Sequence, residues 1–157
     1  MTIMRLKLIA FLLIGFCASL CAQTQQYDII SGGQGRGGDY YVKVTTVVKK
    51  VKEAKDALRR CAVHGVLFKG FNAGPDGGTN QSPIVSDPSI ETTKADFFNA
   101  FFNEKQYEKF VSATESSMTS VKVKKGFEVS ALLTVRQQAL QTYLEEKGII
   151  KGFSNLW

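Results

Sequence analysis

The chain is poor in the residues that carry most chemistries. It has one histidine, one tryptophan, three prolines and three cysteines in 157 residues. Cys17 and Cys21 fall in a leading apolar stretch, which leaves Cys61 as the only thiol in the body of the chain. A lone thiol excludes an internal disulfide, so the fold has to rest on its apolar core. One histidine with one cysteine is too small a nitrogen and sulfur set for a zinc site. Nothing in the sequence asks for a cofactor. Long apolar runs are missing as well. The stretch from Leu8 to Phe16 is too short to span a bilayer comfortably and has no stop-transfer charges behind it, and no later segment is long and apolar enough to cross.

What stands at the front is an address. Residues 1–22 read as a secretory signal peptide: Arg5 and Lys7, then Leu8 to Phe16, then small residues ending Leu20-Cys21-Ala22 before a polar Gln23-Thr24-Gln25-Gln26. A lipoprotein reading needs a small residue before the lipidated cysteine, but Phe16 precedes Cys17 and Leu20 precedes Cys21. Free export with cleavage near Ala22 is the expectation, and the Ala-Gln junction suits the periplasm or cell envelope of a Gram-negative bacterium. Taking Arg5 and Lys7 from the 20 basic residues leaves a net charge of +4 against the 14 acidic ones. That balance suits an anionic surface or ligand without demanding one. Export argues against nucleic acid as a partner.

The rest of the chain reads as a flexible glycine-rich lead-in over 23–39 and one α+β domain over 40–157. Tyr40 to Lys50 alternates as a strand, with Tyr40, Val42, Val44, Thr46 and Val48 on one face. Helical spacing then sets Ala54, Ala57, Leu58, Cys61, Gly65 and Phe68 on one stripe. Residues 72–88 are loop, dense in Gly, Pro, Asn and Ser, and Asp87-Pro88 opens a helical stretch over about 89–114 that breaks near Asn103. Ser117 to Lys124 and Phe127 to Thr134 form a hairpin across Lys125-Gly126. Thr134 with Gln137 has capping-box spacing ahead of a last helix carrying Leu140, Tyr143 and Leu144. The expected fold is a three-stranded antiparallel sheet with helices packed on one face, in the order β-α-α-β-β-α.

Several patterns invite a chemical reading. Gly33, Gly35 and Gly38 spell the dinucleotide fingerprint, but the run leads into a strand where a phosphate site needs a helix. It could at most present backbone N–H groups to an anion beside Arg36. Cys61 and His64, three apart on one helix, could pair as a thiolate–imidazole nucleophile of a Cys-dependent hydrolase, although Cys61 sits in the apolar stripe. Phe97 and Phe101 belong to a phenylalanine cluster that could line a pocket for a small apolar or anionic ligand, and a disulfide-free domain needs the same residues for its core. Lys49, Lys50 and Lys52 leave the first strand, while Lys122, Lys124 and Lys125 bracket the hairpin turn. If these ends are neighbours they make a basic edge; otherwise they guard sheet edges and turns.

Tyr41-Val42-Lys43-Val44, the helix through Ala57-Leu58-Arg59-Arg60-Cys61-Ala62, and the closing Gly126-Phe127-Glu128-Val129-Ser130-Ala131-Leu132-Leu133-Thr134-Val135 resemble small exported bacterial envelope domains of the flagellar assembly T-protein N-terminal type. The resemblance is one of pattern and extends to uncharacterised secreted proteins. It implies a structural or binding role in the envelope and supplies no catalytic residues. The sequence therefore points to a non-enzymatic exported binding module whose partner is a protein or envelope component. A ligand carrier and a Cys-dependent hydrolase stand as alternatives.

Overall fold

Alternation in Tyr40–Val48 and again in Gly126–Val135 sets the architecture. Each strand sends every second side chain to one side, and in both strands that side is apolar. The computed structural model describes residues 25–33 and 35–152, so the signal-peptide reading of residues 1–22 lies outside the described residues. Five antiparallel strands form one sheet: β1 (Tyr27–Ser31), β2 (Tyr40–Val48), β3 (Val111–Ala113), β4 (Thr119–Val123) and β5 (Gly126–Val135). β2 pairs with β1 on one side and with β5 on the other, while β3 and β4 share the far side of β5. The helices are α1 (Ala54–His64), α2 (Ser89–Thr93), α3 (Ala95–Asn103) and α4 (Gln137–Glu146).

Ile29, Val42, Val44, Val48, Val129, Ala131, Leu133 and Val135 are all buried on one face of the sheet. Ala54, Leu58, Cys61 and Ala62 of α1 pack there with Phe98, Phe101 and Phe102 of α3 and Leu140 and Leu144 of α4. Lys43 and Val47 of β2 and Glu128 of β5 are exposed on the other face. At Gly65 an added Cβ would meet Ile29 Cδ1 at 2.7 Å, so glycine lets the chain close on the strand. There α1 passes into a π-helical turn, Gly65–Lys69, closed by a 2.8 Å bond from Gly70 N–H to the Gly65 carbonyl.

The architecture corrects the sequence-based expectation at several points. The sheet has five strands where three are predicted, and the element order changes with it. Tyr27–Ser31, inside the stretch read as a lead-in, is the edge strand β1, in register with Val42–Thr46. The glycine run is the β1–β2 connection, with Gly33, Gly37 and Gly38 at positive φ. The stretch over 89–114 divides into α2, α3, a 3-10 turn (Gln106–Phe110) and β3. The expected break near Asn103 is real, since α3 ends there and Lys105 takes a left-handed conformation with φ 56°. Thr134 lies within β5 opposite Tyr41, and no side chain caps α4, so the capping box does not form. Asp87 does serve the start of α2: its carboxylate accepts from the Ser89 N–H at 2.9 Å, and the Ser89 side chain first, then this N–H, lower its pKa.

The β4–β5 turn depends on Gly126, at φ 142°, where an added Cβ would meet the Val48 carbonyl oxygen at 2.2 Å. Gly126→Ala is expected to cost about 1–3 kcal/mol, combining left-handed strain with a backbone clash. Urea unfolding of the two proteins followed by circular dichroism measures it.

Candidate functional site

The β2–β5 register settles where the lysines meet. Val48 lies opposite Phe127, so the chain leaving β2 at Lys49 runs beside the hairpin turn Lys124-Lys125. A Cβ added at Gly126 would also meet Lys49 Cα at 3.3 Å, which makes the two backbones immediate neighbours. Between this end of the sheet and the first turns of α1 lies an open groove of about 1140 Å³. Lys49, Lys124 and Lys125 stand on its sheet side, Arg60 on α1, and Lys105 at the end of α3. Val47, Val48, Ala57, Phe102, Tyr107 and Val123 give it apolar surface, while Glu53, Asp56 and Glu128 are its carboxylates.

These charges are unevenly matched. Lys105 pairs with Asp56, and this hydrogen bond and charge raise the ammonium pKa. The Arg60 guanidinium lies 5.2 Å from the centre of the Phe102 ring, a cation–π contact. Among the described residues, Lys49, Arg60, Lys124 and Lys125 have no carboxylate partner. The groove therefore offers four unpaired cations against Glu53 and Glu128. Phe102 and Tyr107 are buried and present little ring face to a ligand. Burial also raises the Tyr107 phenol pKa.

The other residues singled out from the sequence lie elsewhere. Lys50 and Lys122 are exposed next to the groove but do not line it. Arg36 sits in the β1–β2 connection, at the opposite end of β2 from Lys49, about 30 Å away for nine strand residues. Phe101 has 0% of its surface exposed and packs against Phe97, Phe102, Tyr107, Phe110 and Tyr143. Phe97 is half-buried against the same cluster. These rings pack between α3 and α4, and of them Phe102 and Tyr107 reach the groove while Phe97 and Phe101 do not line it. Arg60 and Lys105 are groove residues that the sequence reading passed over. Charge alone does not separate them from solvated lysines and arginines, because their place depends on how α1 and α3 meet the hairpin.

Among the described residues, no hydrogen bond joins Cys61 to His64. The thiol is 2% exposed and its pKa is pushed up to about 11, chiefly by burial, with the Thr46 hydroxyl and the charges of Arg60 and Lys69 partly opposing. The histidine is engaged on both nitrogens. Nε2 lies 3.0 Å from Glu91 Oε1 and Nδ1 2.6 Å from the Tyr27 hydroxyl. A carboxylate only accepts, so Nε2 carries the proton and Nδ1 accepts from Tyr27. Burial raises the Tyr27 pKa, keeping the phenol protonated as that donor. The chain Tyr27–His64–Glu91 thus fastens β1 to α1 and α1 to α2. Lys69 adds to it, donating to the Tyr27 carbonyl at 3.1 Å with its ammonium 4.8 Å from the centre of the ring. Among the described residues no three His, Cys, Asp or Glu side chains converge as a metal site, and no helix is long and apolar enough to cross a membrane.

No known protein family, no curated protein and no solved structure matches the chain.

Alkylation of Cys61 by iodoacetamide is expected to be slow at neutral pH in the folded protein and fast after unfolding, as mass spectrometry reads it. The thiol ionises at 9.0 in an open chain and near 11 in the fold, so the folded state holds its proton longer. Its contribution to stability is complete below pH 9 and declines as the pH rises from about 9 to 11. Cys61→Ser would remove that decline, leaving the parts due to Tyr27, Tyr40, Tyr107 and Tyr143, whose raised pKa values have the same sign. Tyr27→Phe is expected to cost about 1 kcal/mol by leaving His64 Nδ1 without its donor.

Proposed function

We propose that the protein is a non-enzymatic exported binding module that holds an acidic segment of a partner protein in the groove between the β4–β5 turn and α1. The observation that carries this reading is the convergence of four unpaired cations, from three separate parts of the sequence, around a groove with apolar walls. An acidic peptide with interspersed apolar residues answers both features: its carboxylates meet the lysines and its side chains cover Val47, Val48 and Val123. A volume of about 1140 Å³ exceeds what a small inorganic anion fills. Export, on the sequence reading of residues 1–22, places that partner in the periplasm or envelope, in keeping with the role implied by the resemblance to exported envelope domains.

The test is fluorescence anisotropy with a labelled peptide of alternating glutamate and valine, titrated at low and high salt. Binding is expected at low salt and to weaken as salt screens the charges. Lys124→Glu with Lys125→Glu should weaken it about tenfold or more, equivalent to roughly 1.4 kcal/mol. Lys50→Glu with Lys122→Glu, outside the groove lining, should change it far less. Equal losses from the two double variants, or no binding at low salt, would overturn the proposal. Anionic vesicles that bind where the peptide does not would transfer the site to a lipid surface.

A further inference from the structure

Four large apolar side chains are exposed among the described residues: Val47, Val51, Met118 and Val121. Val121 is the most exposed of them at 59% and sits at the centre of β4. Val47 and Val121 both lie opposite Glu128, one from β2 and one from β4, so the three form one row across the outer face of the sheet. Met118 stands directly before β4. No residue of β4 is buried, and among the described residues the strand pairs on one side only, with β5. A free edge with apolar side chains is the feature that soluble proteins ordinarily suppress with charge, proline or cover.

We infer that β4 is a self-association edge, where two copies of the chain join their sheets through antiparallel β4 strands related by a two-fold axis at Val121. The strand's own sequence supports a second copy as the occupant. With the axis at Val121, Thr119 faces Val123 of the second copy, Ser120 faces Lys122, and Met118 faces Lys124. No lysine opposes a lysine, and all five strand residues are paired. Moving the axis to Lys122 sets that lysine against itself, a like-charge pair directly across the ladder. Moving it to Ser120 leaves Lys122 and Val123 opposite residues before the strand. A perpendicular two-fold keeps each face on its own side, so only registers that pair like faces arise. The Val121 register also extends the outer row through both copies, from Val47 and Glu128 to Val121 and back. Five paired residues are fewer than a permanent interface uses, so the association is a concentration-dependent equilibrium of monomer and dimer.

Sedimentation equilibrium from micromolar to millimolar protein tests the association, and cysteine crosslinking tests the register. The wild-type mass is expected to rise towards the dimer with concentration, and Val121→Lys to weaken the dimer about tenfold or more without changing the circular dichroism spectrum. Paired antiparallel Cα atoms lie about 4.5–5.5 Å apart, within disulfide range. Val121→Cys should therefore crosslink to a covalent dimer in oxidised glutathione, while Thr119→Cys, which faces Val123 in this register, should crosslink much less. Cys61 is buried and does not compete. A wild-type monomer at every concentration would overturn the inference, as would equal crosslinking by the two cysteine variants.

Discussion

The pairing of β2 with β5 over nine consecutive residues is the constraint on which the other elements depend. It lies at the centre of the sheet, and Val42, Val44, Val129, Leu133 and Val135 on its inner face have no exposed surface. Side chains alternate with period two, so a slip of one residue would turn this whole set to solvent. At roughly 1.5–3 kcal/mol for each fully buried aliphatic side chain, that error is far larger than any surface charge term in the molecule. The register is therefore fixed by burial, and the electrostatics of the groove follow from it. Val48 opposite Phe127 brings Lys49 to the turn, and no attraction between those cations is needed to hold them there.

The less apolar β1 is secured in another way. Its inner positions are Tyr27, Ile29 and Ser31, which bury less apolar surface than the corresponding stretch of β5. Hydrogen bonds to its neighbours compensate. Thr46, buried opposite Tyr27, donates to the Gln26 carbonyl at 2.9 Å and accepts from the Gln25 side chain at 3.3 Å. His64 receives the Tyr27 hydroxyl, and the Ser31 N–H reaches the Asn72 carbonyl at 2.8 Å. A buried hydroxyl or imidazole left without partners costs about 1–3 kcal/mol, so these bonds hold the edge strand in one place even where each adds little alone. The only histidine of the chain works within this fastening, with both ring nitrogens engaged away from Cys61.

How much of this was legible depended on the length of each pattern. β2, α1, the hairpin and α4 each repeat their period over at least two turns or four alternations, so core residues such as Val44, Leu58, Leu133 and Leu140 could be read directly. Tyr27–Ser31 offers only five residues beside a glycine run, and Val111–Ala113 only three, too few to separate a strand from its surroundings. Both exist because a longer neighbour supplies the pairing. Lys105 could not be read at all, since its left-handed backbone and its partner Asp56, 49 positions away, arise only when α3 meets α1. Lys49 and Lys124 were visible as charges, but their adjacency waited on the register.

Lysines near a sheet end have two physical uses, and here they divide by position. Lys122 lies within β4, where a charge on a free edge discourages uncontrolled growth of the sheet. Its place opposite Ser120 in the Val121 register means that it rejects other pairings while allowing that one. Lys124 and Lys125 lie on the turn beyond the last strand residue and guard no ladder. Together with Lys49 and Arg60 they face a groove in which Glu53 and Glu128 leave part of the positive charge unmatched. In water such repulsion amounts to tenths of a kcal/mol per pair at separations near a Debye length, small enough for the fold to carry. An acidic segment entering the groove would remove that repulsion and gain attraction from several cations at once. The same unmatched charge would thus act most strongly on the bound state, where water is displaced from the groove, and least on the stability of the free protein.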